Sequence, residues 1–444
     1  MTQSIGPAAH AEGGGAVASA LYSHAEGFAA QASAASSHAE GYLSLASGPA
    51  SHAEGGGTIA SGLYAHAEGN ETRAIGLHSH AEGFITIAEG LNAHAEGELT
   101  LATGLDSHAE GLETIASGQA AHAEGENNTA SGRASHVEGN LNAASGIFAH
   151  SEGQRTLASG DLSHAEGSQT IAGGQSSHAE GALTTASGFA SHTQGVLTTA
   201  DSFVSHAEGY ATSANSLEGV HIMGNIGAAD EETYSWYLAN GTSEEAPGLA
   251  AKILSSGNVK IDGTLSSPAA DYAEMFESVD GNPIGPGYFV ALEVDKVRIA
   301  NSQDRYVIGI TSAKPAFLSD SGELRWHRKY QTDEWGAILY EDVHEPALAD
   351  QDGRIIKPSR TRRQPMLNPA WNPAHAYIPR SRRREWVAVG LLGKLLVRDD
   401  GTCQPGGLCA VNDAGTASAA GEGYYVLKRT GPAQILVLLG RTFA

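Results

Sequence analysis

Cysteine is almost missing from these 444 residues, with Cys403 and Cys409 as the whole complement. Two thiols make no disulfide framework. The stretch GTCQPGGLC reads either as a small bridged loop or as two free thiols on a hairpin. No local residues complete a four-ligand zinc site beside them, so neither metal nor any other cofactor is expected. Aromatic residues are only 6% of the chain. No apolar run approaches the ~20 residues that cross a bilayer, which argues against membrane insertion. Met1 to Pro7 offers neither a charged n-region nor an apolar h-region, so export by a Sec signal peptide is not expected. Basic residues are scarce over residues 1–267, with 5 Lys and Arg against 29 Asp and Glu, whereas residues 268–444 hold 21 of each. A region this acidic repels nucleic acid and anionic membrane, and neither is expected as a partner.

What the chain has in place of these is a repeat. Ser23-His24-Ala25-Glu26-Gly27 returns every 14 residues up to Ser205-His206-Ala207-Glu208-Gly209, with fifteen of the 20 histidines in one register from His10 to His206. A looser phrase lies between, as in Thr58-Ile59-Ala60-Ser61-Gly62. The unit is therefore two related halves of seven, the mark of a solenoid whose coils bury their faces only by stacking.

Each half is five residues of period-2 pattern followed by two variable residues, a strand and then a turn. Alternation puts Ser, Ala and Gly of SHAEG on one face and His and Glu on the other. In the partner half Thr58, Ala60 and Gly62 share a face, and Ile59 and Ser61 point away. Small inner residues let the two strands pack back to back, and glycine at each strand end is expected to supply the tight turn. At ~4.8 Å per stacked strand, fifteen coils make a rod roughly 70 Å long. A helix is excluded, because glycine every seven residues costs about 1 kcal/mol each time and no 3.6-residue stripe exists.

A roll filled with Ala, Ser and Gly buries little apolar area, so one chain alone is expected to be marginal. The outward slot of the loose half is a tolerant mixture (Leu45, Ile59, Arg73, Thr129), while SHAEG keeps its histidine throughout and its glutamate nearly so. That contrast places the ladder of His24, Glu26, His52, Glu54, His94, Glu96, His122, Glu124, His164 and Glu166 at an interface between chains. A hydrogen-bonded His–Glu ladder that sets register is the plain reading of it, ahead of a row of metal sites. A glutamate beside each histidine would raise the imidazole pKa and lower the carboxylate pKa. The S-x-A-x-G and x-A-x-G alternation resembles the head repeats of trimeric autotransporter adhesins, which are left-handed parallel β-rolls. The resemblance implies a homotrimer. Those heads carry aliphatic residues where this chain has His and Glu, so the same arrangement here implies a polar axis.

After residue 214 the pattern decays, and residues 215–264 read as a β connector with runs at Tyr234–Leu238, Leu249–Leu254 and Val259–Ile261. From 265 to 444 the period is gone and short β-rich runs alternate with Gly, Pro and Asp. They are Tyr288–Leu292, Lys296–Ala300, Tyr306–Thr311, Ile338–Tyr340, Trp386–Val389, Leu395–Arg398, Tyr424–Lys428 and Ile435–Leu439. An irregular basic stretch from Asp350 to Arg384 includes Arg354 and reads as a solvated loop.

At the start of this region stands ADYAEMFE, and RWHRKYQTDEWG and AYIPRSRRREWVAVGLLGKLLVRDDGTC follow in order. These motifs, spread over roughly residues 266–444, resemble the self-cleaving intramolecular-chaperone domains of phage tail-spike and appendage proteins, peptidase family G two. The resemblance implies a domain that aids trimerisation and then cuts itself away, using an Asp and a Glu. The matching residues are Asp271 and Glu274, with Glu277 in reserve. Peptide hydrolysis needs a base and an acid, and two carboxylates in unlike environments can divide those roles. Spaced three apart, they share a face in a helical turn but not in a strand. On the residues alone DYAEMFE reads as an ordinary amphipathic turn. The cleavage region is Leu265, Ser266, Ser267 and Ala269, with Ser266 and Ser267 either nucleophiles or mere flanks of a bond cut by water.

The expected fold is all-β: a left-handed parallel β-roll solenoid (1–214), a β connector (215–264) and an all-β chaperone domain (265–444). Two functions compete. One is a virion or extracellular fibre whose C-terminal domain removes itself, with other particle proteins as further partners. The other is a surface adhesin or receptor-binding appendage that keeps that domain.

Overall fold

The computed structural model describes residues 1–322, 329–351, 353, 355–374 and 376–443, with side chains to 440. Residues 325–328 of the RWHR motif, and Arg354, lie outside the described residues. The chain forms two compact units, Met1–Thr264 with Leu348–Lys357, and Leu265–Ala347 with Pro358–Ala444. Both are built from strands.

The first unit is a parallel β-solenoid. Each SHAEG half contributes a strand such as His94–Glu98, and each loose half a two-residue strand such as Leu101–Ala102. Every strand pairs in parallel with its counterpart one coil on, so that His94 faces His108 and Leu101 faces Ile115. The inner face is as the alternation requires: Ser107, Ala109, Thr114 and Ala116 are all buried. Some of its hydroxyls bond locally, Ser107 Oγ donating to the Gly104 carbonyl at 2.8 Å and Thr114 Oγ1 to that of Glu110 at 3.0 Å. Where Asn128 and Asn142 take the threonine slot, the Asn142 backbone N–H donates to Asn128 Oδ1 at 2.8 Å, tying one coil to the next. Small polar side chains thus fill a core too thin for leucine. Some hydroxyls bond within the coil, while others, such as those of Thr58, Thr72, Thr86 and Thr100, are buried without a partner among the described residues.

Glycine ends each half for close stacking, and in the SHAEG half also because its backbone is left-handed, as at Gly97 (φ 103). A Cβ on Gly97 or on Gly104 would collide with the backbone carbonyl of its counterpart in the next coil, Gly111 or Gly118. Close stacking is what both positions require. The left-handed turn residue comes two positions later and is seldom glycine, as at Leu99 (φ 58), Asp106 (φ 56) and Glu113 (φ 54).

The roll also outlasts the repeat. His206–Ser213 pairs in parallel with His221–Ala228, and that strand with Trp236–Asn240, so His221 and Trp236 continue the histidine column. Larger side chains, Val220, Ile222, Tyr237 and Leu254, fill this end. Leu249–Ile253 and Val259–Ile261 add in antiparallel fashion and close it.

The second unit is a mainly antiparallel sheet around the long strand Trp386–Arg398, which the sequence had suggested as two shorter runs. Its first half pairs with Asp271–Glu277 and its second with Gln434–Phe443. Phe289, Ile310, Val397 and Ile435 form the core, together with Cys403 and Cys409, which are unbridged and fully buried. Burial, and then the neighbouring Cys403, push the Cys409 thiol up to about 12, so both sulfurs serve as inert packing.

The two kinds of backbone constraint in the solenoid should respond oppositely to substitution. Gly104→Ala, at a backbone that is not left-handed, is expected to cost at least ~2 kcal/mol, because neither backbone can yield. Glu113→Gly, at an exposed left-handed position, should be neutral or stabilising by up to ~1 kcal/mol. Urea midpoints of the two variants check this. Equal shifts would show that close stacking is not what selects glycine.

Candidate functional site

DYAEMFE is a strand rather than a turn. Residues Asp271–Glu277 pair with Trp386–Arg398 on one side and in parallel with Phe317–Ser319 on the other. Alternation therefore separates the two candidate carboxylates. Asp271, Ala273 and Met275 are buried on one face, and Tyr272 and Glu274 lie on the other. Spacing of three would have joined them only on a helix.

Asp271 is 6% exposed, and its Oδ2 is buried with no hydrogen-bond partner among the described residues. A Cβ on Gly390 would lie 3.2 Å from that oxygen, so the glycine makes the room it occupies. A buried, unpartnered carboxylate oxygen carries a desolvation cost that folds seldom retain without use. Glu274 has the opposite setting. Its Oε1 accepts from the Tyr272 hydroxyl at 2.8 Å, and that hydroxyl lies 2.8 Å from Ser319 Oγ. Glu277, the reserve candidate, is half-buried and paired with Lys296 at 2.8 Å.

Just upstream, Leu265, Ser266, Ser267 and Pro268 are exposed and outside any strand, and Ala269 is half-buried. Ser267 Oγ accepts from the Ala269 N–H at 3.2 Å. The segment then enters a cavity of about 600 Å³ lined by Pro268, Ala270 and Asp271 together with Lys314, Lys394 and Lys428. There the Lys394 backbone N–H donates to the Ala270 carbonyl at 3.3 Å. An accessible peptide thus runs into a buried carboxylate within a basic cavity, which suits a bond that develops negative charge as it is attacked.

The ladder lies on the outer face of the first unit. From His10 to His206 the ring centroids of neighbouring histidines are 4.6–4.9 Å apart. His24, His52, His94, His122 and His164 all stand in this column. Their glutamates run beside it, with separations such as 3.9 Å for His52–Glu54, 3.5 Å for Glu124–His136 and 3.4 Å for Glu166–His178. Only His192–Glu180, at 3.0 Å, closes to a hydrogen bond. Within the chain, among its described residues, the ladder histidines and glutamates do not otherwise hydrogen-bond to each other, because in-register stacking sets each ring against another ring. His221 joins the column and stacks on Trp236 at 4.4 Å. Its signal in the sequence is His-Ile-Met-Gly, an H-x-x-G phrase displaced by one residue from the 14-residue register.

Burial, with stacking second, reverses the expected shift at eight histidines of the column. Burial, then the charge of neighbouring rings, holds His38, His66, His80, His94, His108, His122 and His150 below the usual value, and His206 falls to about 4. The glutamates share hydrogen bonds along their own row. Each bonded chiefly to Glu96, Glu82 and Glu110 are pushed up to about 7, while Glu96 and Glu124, bonded chiefly to Glu110, are held low.

A lowered histidine pKa gives stability that is present above the unfolded value of ~6.5 and lost as pH falls through the folded value. The raised Glu82 and Glu110 oppose this, with stability present below ~4.5 and lost as pH rises through about 7. Histidines are the more numerous. The melting temperature of metal-free protein should therefore fall between about pH 6.5 and pH 4, and the imidazoles of His66, His94 and His206 should titrate below ~6.5 by NMR. Ring pKa values above that figure would overturn this account.

Residues 221–433 match the Peptidase_G2 family, described as an IMC autoproteolytic cleavage domain. The chain is 36% identical over 180 residues to the pre-neck appendage protein of Bacillus phage phi29, covering 40% of this chain and 19% of that protein. It is likewise 36% identical over 177 residues to the putative phage-related protein YobO of Bacillus subtilis, covering 39% and 20%. The chain spans about a fifth of the length of the curated relatives it matches. The structure titled pre-mature bacteriophage phi29 gene product 12 shares the fold, with a TM-score of 0.50 and 19% identity over 97% of this chain and 55% of that one.

Proposed function

We propose that this chain, whose residues 221–433 carry a Peptidase_G2 autoproteolytic cleavage domain, is a structural part of a phage appendage that assembles as a homotrimer and cuts itself near residues 265–270. The relatives are appendage proteins of Bacillus phages, which supports a place on the virion beside other particle proteins. The thin Ala, Ser and Thr core of the solenoid supports assembly, since so little apolar surface leaves a single chain marginal.

The observation that carries the cleavage reading is the buried Asp271 carboxylate at the mouth of the basic cavity, next to the exposed Leu265–Ala269 segment. Asp271 and Glu274 are the catalytic carboxylates. They face opposite sides of one strand, so a working pair draws Asp271 from one chain and Glu274 from another. One carboxylate takes a proton from the attacking water or serine, and the other gives a proton to the departing amine. Trimer closure brings the groups within the ~3 Å that proton transfer needs, and this makes cutting wait for assembly. Each domain cuts its own bond once.

Intact mass over time tests this. Wild-type chains should yield fragments of about residues 1–267 and 268–444, uncertain by a few residues, and dilute monomers should stay whole. Asp271→Ala and Glu274→Ala should each remain full-length trimers. Co-expressed, the two variants should regain partial cutting, because mixed trimers contain an intact pair across a boundary between chains. Cutting by either variant alone would remove that residue from the mechanism, and failure of the mixture would place both carboxylates within one chain. Persistence of whole wild-type chains in mature particles would favour an adhesin that retains the domain.

A further inference from the structure

The glutamate row and the histidine column leave one another's donor atoms unused. Among the described residues the ion-pair contacts of the ladder glutamates are with histidines, at 3.4–4.0 Å in every case but His192–Glu180. That is too long for an N–H···O bond, and the Nε2 atoms of His66, His80, His94, His108 and His122 are buried without a hydrogen-bond partner. At mid-shaft the Nε2 atoms of His94 and His108 each stand between two carboxylates from adjacent coils, and those of His66, His80 and His122 lie 3.6–3.8 Å from one. His108 lies 3.7 Å from Glu96 and 3.8 Å from Glu110, and His94 lies 4.0 Å from both Glu82 and Glu96. The donor atoms of Glu68, His80 and Glu82 all lie within 4.8 Å of one another.

We propose that this ladder binds a row of divalent transition-metal ions, zinc foremost, each held by one imidazole Nε2 and the two carboxylates that flank it. Zinc–nitrogen and zinc–oxygen bonds of ~2.0–2.2 Å put two donors on one tetrahedral ion roughly 3.4 Å apart. The observed gaps close to that value with a small rotation of each glutamate, whose side chains are about a third exposed and free to turn. The imidazole lone pair lies in the ring plane, so stacked rings do not share an ion, and the carboxylates bridge between rungs. Mixed nitrogen and oxygen donors suit zinc, cobalt, nickel or copper, and not magnesium or calcium, which take oxygen alone. The fourth position belongs to water. Bound ions neutralise a row of stacked carboxylates that no lysine or arginine among the described residues pairs with. Ions on neighbouring rungs stand less than about 5 Å apart and repel, so alternate rungs fill and a chain holds about one ion for every two coils, roughly seven in all. The proposal depends neither on the number of chains nor on self-cleavage.

The test uses the full-length chain stripped with EDTA and then dialysed against zinc, with bound metal counted by atomic emission and cobalt(II) as a spectroscopic probe. The expected result is about one zinc per two coils at pH 7.5, the visible bands of four-coordinate cobalt, a raised melting temperature, and release below about pH 5 as the imidazoles protonate. Magnesium should not be retained. In Glu82→Gln/Glu96→Gln/Glu110→Gln the histidines remain, and about two ions should be lost or held at least tenfold more weakly. Should that variant fail to fold by circular dichroism, Glu96→Gln alone should show the same weakening at its neighbours. Fewer than about one zinc per four coils, or retention unchanged by loss of the glutamates, overturns the proposal, the second outcome marking adventitious imidazole binding. Size-exclusion mass and fragment mass, recorded on the same samples, report trimerisation and cleavage separately.

Discussion

Parallel register between coils, in which each residue faces its own counterpart one repeat later, is the constraint on which the first unit depends. Backbone hydrogen bonds hold that register along both strands of every coil, and it converts a 14-residue sequence into columns of identical chemistry. The inner columns are alanine, serine and threonine, which fit between two strands packed back to back. The glycine columns allow carbonyls of successive coils to approach where any side chain would intrude. Apart from the Val220, Ile222, Tyr237 and Leu254 cluster at its end, the roll has no oily core. Its cohesion comes from repeated hydrogen bonds and close contacts, each small and each made again one coil later.

The same register creates the unit's main electrostatic problem. Stacking identical residues is harmless for alanine but sets imidazole on imidazole and carboxylate on carboxylate. Burial and then like neighbours hold histidines such as His66, His94 and His206 below their usual value, and Glu82 and Glu110 are pushed up to about 7 by hydrogen bonds to Glu96. Proximity of opposite types within a coil does not offset this at the histidines, since ring burial is the larger effect and the like neighbour in the next coil is nearly as close. The outer face is thus held by balance among groups that could each take a proton or an ion.

The second unit works by a different rule. Its functional groups are single residues placed by strand pairing. Strand geometry separates Asp271 from Glu274, gives one a buried setting and the other a tyrosine partner, and leaves the preceding peptide free of regular structure. Two carboxylates three residues apart thus come to sit in unlike environments on opposite faces of one strand.

Sequence alone determined the period, the two-strand coil and the inward and outward faces of the repeat, because a period of two within a period of fourteen admits one stacked arrangement. It also marked DYAEMFE and the exposed stretch before it. Tertiary structure decided the rest. That Asp271–Glu277 is a strand depends on pairing with Trp386–Arg398, more than a hundred residues away and invisible to local pattern. The pKa shifts of histidines such as His66 and His94 run opposite to the expectation, because the sequence shows the glutamate two residues away but neither the burial of the ring nor the histidine stacked on it from the next coil. The role of glycine was half seen for the same reason: the left-handed backbone of the SHAEG glycines is local, whereas the close approach belongs to two coils at once. The continuation of the column through His221 and Trp236 escaped a strict 14-residue count, since one added residue in a turn changes the spacing while backbone pairing restores the register.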